Sequence, residues 1–202
     1  MSSAQRAARE QAIYDSLVYP GTSVLRNKAG IRDQDRLDQF EARTVSLREP
    51  TRPIFKKFTL SEMQAVHKHL LGEVYAWAGQ IRGYTTGRGA ASFARPEHIA
   101  SYYEKAVHEP LRRERFLKGA SREQFARRGA YFASEINAVH PFIDGNGRIT
   151  RLLLQDLAAQ AGYKLDITCL QAHKGVWYAA MKQAFECGDT STLEREILSA
   201  LG

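Results

Sequence analysis

Residues 146–161 constrain this chain more than any other stretch. Read as a helix, they spread Ile149, Leu152, Leu153, Leu154, Leu157, Ala158 and Ala161 around the axis and leave hardly any polar face. A helix that is apolar on all sides has to be wrapped by others, so it belongs at the centre of a helical domain. The chain has 202 residues, 44% of them hydrophobic and 25% charged, with 15 Gly and 6 Pro, which is ordinary globular material and enough to build such a wrapping. Disordered chains, collagens and disulfide scaffolds are excluded, and one domain spanning 1–202 is the expectation.

Apolar spacing and turn signals predict helices over about 4–17, 33–47, 59–76, 96–116, 121–139, 146–161, 170–187 and 191–201. Thr59 with Glu62, Ser121 with Gln124 and Ser191 with Glu194 each have the form of a capping box. Behind the first of these, Met63, Val66, Leu70, Val74 and Trp77 recur at helical intervals. Tyr19-Pro20-Gly21 specifies a turn. Between Trp77 and Pro96, glycines punctuate short runs of Tyr, Thr and Phe, which predicts a hairpin over 82–93 turning near Gly87-Arg88-Gly89. The expected fold class is all-α, a helical bundle around a central buried helix with one small β-hairpin.

The formal charge, 29 − 22 = +7, favours an anionic partner: nucleic acid, a nucleotide or an acidic protein. Cys169 and Cys187 are too few and too far apart for a zinc knuckle, and they form no secreted disulfide framework. The first ten residues contain no apolar core of a leader peptide, and nowhere do 18 apolar residues run together. A cytoplasmic, reduced, soluble protein is expected.

The chemistry concentrates in residues 140–151, His-Pro-Phe-Ile-Asp-Gly-Asn-Gly-Arg-Ile-Thr-Arg. A helix ending near Val139 meets His140 and the helix-breaking Pro141, then a turn carrying Asp144, then Gly145-Asn146-Gly147 leading into the buried helix. The two glycines let the backbone bend and approach a ligand closely, and the free N–H groups of a helix start attract anions, so this reads as a phosphate cradle. Arg148 and Arg151 lie one turn apart on one face, where two guanidinium forks can converge on a single polyphosphate. Asp144 is a hard oxygen ligand of the kind that shares Mg²⁺ with substrate phosphates. His140 is the one side chain of the segment with an ordinary pKa near neutrality, roughly 6.5, and is the natural general base for an attacking hydroxyl. Together these parts suit in-line transfer of a phosphorus group.

The segment resembles the active-site motif of Fic domain proteins, His-Pro-Phe-x-(Asp/Glu)-Gly-Asn-Gly-Arg-x-x-Arg, at every defined position. The similarity extends to Tyr19-Pro20-Gly21 with Leu25-Arg26-Asn27-Lys28, to Trp77-Ala78-Gly79-Gln80-Ile81-Arg82, and to Phe93 ahead of a Pro-initiated helix. The resemblance implies the Fic fold, with 82–93 as its flap, and an adenylyl transfer in which AMP passes from ATP to a Ser, Thr or Tyr hydroxyl of a target protein. On that footing His140 deprotonates the hydroxyl and Asp144 holds Mg²⁺ between the α- and β-phosphates. Asn146 with the Gly145 to Gly147 amides forms the anion hole, and Arg148 and Arg151 bind the β- and γ-phosphates. The flap pins the target as an added strand, with Thr85, Thr86 and Arg88 as contacts. In Doc-like members, which transfer phosphate, a Lys stands where this chain has Gly147, so Gly147 points to AMP.

The family's inhibitory helix carries (Ser/Thr)-x-x-x-Glu-(Gly/Asn). Here Thr192 and Glu196 are followed by Ile197, Thr190 and Glu194 by Arg195, and the N-terminal region offers no such pair. The resemblance therefore implies a separate small antitoxin that brings this helix, with the present chain as toxin. It also implies type II topoisomerase subunits, gyrase and topoisomerase IV, as first candidate targets. Three other readings stay open: a Doc-like phosphotransferase, a non-catalytic binding module that keeps the motif, and a DNA-binding domain using the basic stretch from Arg112 to Arg128. No helix reads as a recognition helix and a charge run is usually a solvated face, so DNA is not the expected partner. His67 and His69, at i and i+2, point to different helix faces and read as structural or solvent-facing. Trp177 reads as core packing or as part of an adenine pocket.

Overall fold

The computed structural model describes residues 2–88 and 91–202. Its helices are α1 (Ser3–Leu17), α2 (Gln34–Arg48), α3 (Leu60–Leu71), α4 (Ile99–Tyr103), α5 (Glu109–Arg113), α6 (Arg122–Val139), α7 (Asn146–Ala161), α8 (Ile167–Ala172), α9 (Lys174–Cys187) and α10 (Ser191–Ala200). A two-stranded antiparallel ribbon, β1 (Gly87–Arg88) and β2 (Ala91–Ser92), lies between α3 and α4. Helix α7 is central, as its all-round apolar surface requires. Ile149, Leu152, Leu153, Leu154 and Leu157 are buried in one cluster with Met63, Val66 and Leu70 of α3, Phe125, Phe132 and Ile136 of α6, and Leu193 and Ile197 of α10. No helix among the described residues is long and apolar enough to cross a membrane.

Several element ends differ from the sequence expectation, each for a local reason. Helix α3 stops at Leu71 instead of continuing to residue 76, because Gly72 ends it and the chain turns so that the Val74 and Tyr75 N–H groups both donate to the Leu71 carbonyl. Val74, Tyr75 and Trp77 are buried from that loop, not from a helix face. The single helix expected over 96–116 is broken into a 3₁₀ turn, α4, a π turn at Glu104–His108, α5 and a second 3₁₀ turn. Pro110 has no N–H to give Ala106, and a π turn absorbs such a missing bond. His173, with φ −88° and ψ 29°, divides the stretch expected as one helix over 170–187 into α8 and α9. The capping box at Ser191 does not form: Thr190 holds the cap position without a side-chain bond, and Asp189 accepts the Ser191 N–H instead.

The hairpin is shorter than 82–93. Its tip at Gly89 and Ala90 lies outside the described residues, and beyond the two-residue strands the pairing continues only as Phe93 N–H to the Thr86 carbonyl. Residues 82–85 are bound elsewhere, to the α6–α7 loop and to α1.

One buried ion pair fixes the segment after α2 to the central helix. Arg52 donates to both carboxylate oxygens of Asp156 at 2.7 Å, and the Phe55 N–H donates to the same group at 2.8 Å. The two side chains are 9% and 7% exposed. Removing one partner strands the other charge in a poorly hydrated site. Arg52→Ala is therefore expected to lower unfolding free energy by about 3 kcal/mol, measured by urea denaturation.

Candidate active site

Helix α6 ends at His140, which adopts a left-handed conformation (φ 43°, ψ 62°) while its N–H still donates to the Ile136 carbonyl. A non-glycine residue holds that conformation only where its surroundings insist. The buried guanidinium of Arg82 supplies much of that insistence. Its Nε donates to the His140 carbonyl at 2.7 Å, Nη1 to the Tyr84 carbonyl at 2.6 Å, and Nη2 to the carbonyls of Val139 and Ala94. The Arg82 N–H also donates to the Pro141 carbonyl, and the Ala94 N–H to that of Ala138. One cation at the negative end of α6 thus ties the helix terminus to both legs of the hairpin. The imidazole of His140 lies parallel to the Phe93 ring, 4.0 Å away, and Phe93 rests on Phe185.

The loop that follows is held from both sides. The Asn146 side chain accepts from the Phe142 N–H and donates to the Phe142 carbonyl, both at 2.9 Å. The Asn146 amide is therefore committed to the loop, and what this residue offers a ligand is its main-chain N–H. From the other side, His67 of α3 donates from Nε2 to the Asp144 carbonyl at 2.9 Å and accepts the Gly79 N–H on Nδ1 at 2.8 Å. Its ring also stacks on Phe142 at 4.0 Å. Gly145 has φ +79°, which favours glycine, and a Cβ there would also stand 2.9 Å from Leu71 Cδ1, so that methyl would have to shift.

Helix α7 begins directly after this loop with no side-chain cap. The first intrahelical bond is Ile149 N–H to the Gly145 carbonyl, so the N–H groups of Asn146, Gly147 and Arg148 precede the hydrogen-bonded ladder at the positive end of the helix. A cavity of about 360 Å³ lies over them, lined by His140, Asp144, Gly145, Asn146, Gly147, Arg148 and Arg151. The structure thus brings together every residue the sequence pointed to within 140–151. Glu41, Asn137, Lys174, Trp177, Tyr178 and Met181 complete the lining, so Trp177 does face the cavity.

Electrostatics in the cavity run against the charged forms of Asp144 and Arg151. Loss of surrounding water raises the Asp144 carboxyl above the usual range, Glu41 adds to the rise, and the Gly145 N–H and Arg148 oppose it. Burial and the charge of Arg148 act against the protonated form of Arg151, with Glu49 opposing. Arg151 Nε and Asn137 Nδ2 are buried without a hydrogen-bond partner among the described residues. Unsatisfied buried donors are costly, and an anionic, oxygen-rich ligand would relieve both. A second groove of about 770 Å³, between α2, α7 and α8, is also lined by Arg148 and Arg151.

The expected flap contacts are not part of the cavity lining. The Thr85 N–H and hydroxyl both donate to Glu10 of α1, at 2.9 and 3.2 Å, and the Thr86 carbonyl accepts from Phe93. Arg88 belongs to β1, and its side chain lies outside the described residues. The sequence reading did not single out Glu41, Asn137, Arg82 as a clamp, or His67 as a loop anchor. His67 does conform to its structural reading; His69 bonds the Arg48 carbonyl away from the cavity.

Residues 57–158 match the family model described as the Fic/DOC family. The chain is 38% identical over 189 residues to the probable protein adenylyltransferase y4lH of Sinorhizobium fredii, covering 94% of this chain and 97% of that one. It is 33% identical over 186 residues to the probable protein adenylyltransferase Fic of Escherichia coli, covering 89% and 88%. Its fold superposes on the crystal structure of BepC, a VirB-translocated effector protein of Bartonella tribocorum with bound AMPPNP, with a TM-score of 0.84 at 24% identity, over 93% of this chain and 96% of that one.

The His67 anchor carries a pH signature. Burial, with a smaller contribution from Arg148, lowers its pKa from 6.5 to about 4 despite the opposing Asp144 carbonyl. Unfolded chains take up this proton near pH 6.5 and the folded chain only near 4, so stability is complete above that window and falls as pH drops through it. The loss attributable to His67 is about 3 kcal/mol. Urea midpoints measured across this range should fall steeply for the parent and less steeply for His67→Gln, which can keep both hydrogen bonds. Gly145→Ala is expected to cost at least about 2 kcal/mol in the same assay.

Proposed function

Because the chain belongs to the Fic/DOC family, we propose that it is a protein adenylyltransferase that moves AMP from ATP to a Ser, Thr or Tyr hydroxyl of a target protein. The observation that carries this reading is the gathering of His140, Asp144, the uncapped start of α7 and two arginines around one cavity. The protein adenylyltransferase relatives support ATP as the nucleotide, and the AMPPNP held by BepC fits it.

In this mechanism the triphosphate lies along the start of α7, with the amides of Asn146, Gly147 and Arg148 around the α-phosphate and the Arg148 and Arg151 side chains on the β- and γ-phosphates. The Gly145 N–H is held by Asp144. Lys174, Trp177, Tyr178 and Met181 of α9 form the wall available to the base. The target hydroxyl oxygen forms a bond to the α-phosphorus and the bond to the bridging oxygen breaks. Pyrophosphate leaves, and His140 takes the hydroxyl proton. The Phe93 stack and the Arg82 clamp keep the base oriented at no cost during the reaction.

The donor set fits Mg²⁺ arriving with the nucleotide. Among the described residues no three His, Cys, Asp or Glu side chains gather as a closed metal site. Asp144 offers a single raised carboxylate, with one oxygen on the Gly145 N–H and the other available for a cation. Asp144 would hold Mg²⁺, which neutralises charge on the phosphates when bound.

The flap would pin the target as an added strand with Thr86 and Arg88 at its edge; Thr85, whose N–H and hydroxyl are held by Glu10, would support the flap from behind. Regulation by a small antitoxin bearing a (Ser/Thr)-x-x-x-Glu-(Gly/Asn) helix is supported by Arg151, which has no ion pair with a carboxylate among the described residues. Type II topoisomerase subunits in the cytoplasm remain the first candidate targets.

Incubation with a cell lysate, Mg²⁺ and ATP labelled in the α-phosphate should transfer label to protein, and His140→Ala should reduce transfer at least about 100-fold. The γ-phosphate label should not transfer. Protein labelled from the γ-phosphate would replace this reading with phosphotransfer.

A further inference from the structure

Arg148 does not stand alone at the cavity. Its Nη1 and Nη2 both donate to one oxygen of Glu41, each at 3.1 Å, and the other Glu41 oxygen accepts the Tyr75 hydroxyl at 2.7 Å. Glu41 comes from the middle of α2, its side chain is only 14% exposed, and it lines the same cavity. Tyr75 is buried and stacked on Trp77 at 4.3 Å, so the hydroxyl that holds Glu41 is itself fixed. Burial and the Glu41 charge push the Tyr75 phenol well above its ordinary pKa, so it stays a donor throughout the working pH range.

A carboxylate is a poor neighbour for a polyphosphate. By Coulomb attraction alone the cavity would bind an anion better without Glu41, whose charge already raises the Asp144 carboxyl. Its presence needs another reason, and the bonding geometry supplies one. A guanidinium has five N–H donors in a plane; Glu41 engages two and leaves three in fixed directions. An arginine side chain otherwise loses considerable rotamer freedom when a ligand immobilises it.

We propose that Glu41, held by Tyr75, is a positioning residue for phosphate recognition, fixing the Arg148 plane so that its remaining donors meet the polyphosphate already oriented. The site gives up some attraction and gains preorganisation. This inference rests on the reading of Arg148 as a phosphate ligand.

The sign of one substitution tests it. Binding of AMPPNP with Mg²⁺ is measured by calorimetry for the parent, Glu41→Gln, Tyr75→Phe, Arg148→Ala and the double variant Glu41→Gln/Arg148→Ala. Thermal unfolding of each serves as the folding control. Glu41→Gln is expected to weaken binding 3- to 10-fold although it removes a negative charge from the cavity. Tyr75→Phe, which keeps the ring stack, is expected to weaken it less. In the Arg148→Ala background the effect of Glu41→Gln should vanish or reverse, because the group being positioned is gone. Unchanged or tighter binding by Glu41→Gln would overturn the proposal, tighter binding marking Glu41 as a competitor for Arg148. Equal weakening in both backgrounds would overturn it in favour of a structural role. If Arg148→Ala itself leaves AMPPNP binding unchanged, the phosphate reading of Arg148 fails first and the positioning role falls with it.

Discussion

The first turn of α7 carries N–H groups that no side chain caps, and the surrounding polar contacts keep it so. A helix start inside a folded core normally finds a Ser, Thr, Asp or Asn to accept its first amides. Here Gly145 stands at the cap position, and the adjacent Asn146 turns its amide back onto the Phe142 backbone. The donors are left for something else, at the end of the most buried helix in the molecule. That arrangement is the geometry in which a helix start receives an anion.

Holding a bent, polar loop against an apolar core takes long-range anchors. Arg82 gathers carbonyls from the end of α6 and from both legs of the hairpin, so His140 and the hairpin share one support. His67 pins the Asp144 carbonyl from α3, and its neutral ring lets it accept on one side and donate on the other. Phe93 lies flat against His140, so a face contact helps to set the plane of the imidazole. Charge is largely offset within the cavity as well: Arg148, Arg151 and Lys174 stand against Asp144 and Glu41, so the net +7 of the chain is not simply concentrated at the site. Orientation of the two guanidinium groups matters there as much as their charge.

The parts of the site that are contiguous in sequence can be read from it. Residues 140–151 carry the histidine, carboxylate, glycines and arginines at fixed spacing, and the apolar periodicity of 146–161 announces the central helix. Arg82, His67 and Glu41 cannot be read this way, because they act on the site from 58, 77 and 107 residues away. Arg82 closes the Trp77–Arg82 stretch with no role attached to it, Glu41 is an ordinary polar residue by its local pattern, and His67 reads only as structural or solvent-facing. Helix ends show the same division. Capping boxes at Thr59 and Ser121 form as written, whereas the end of α3, the π turn before Pro110 and the break at His173 depend on what the next residues bury or cannot donate. The strands are shorter than expected because residues 82–85 bond to α1 and the α6–α7 loop instead of to the opposite leg of the hairpin.

The central claim is that the bare amides opening α7 receive a nucleotide phosphate. An amide NMR titration of isotope-labelled protein with AMPPNP and magnesium reports on those groups one by one. The account predicts that the N–H signals of Asn146, Gly147 and Arg148 move most, and saturate together. Nucleotide binding that leaves these three unmoved, while shifts gather along the groove between α2 and α8, would contradict it.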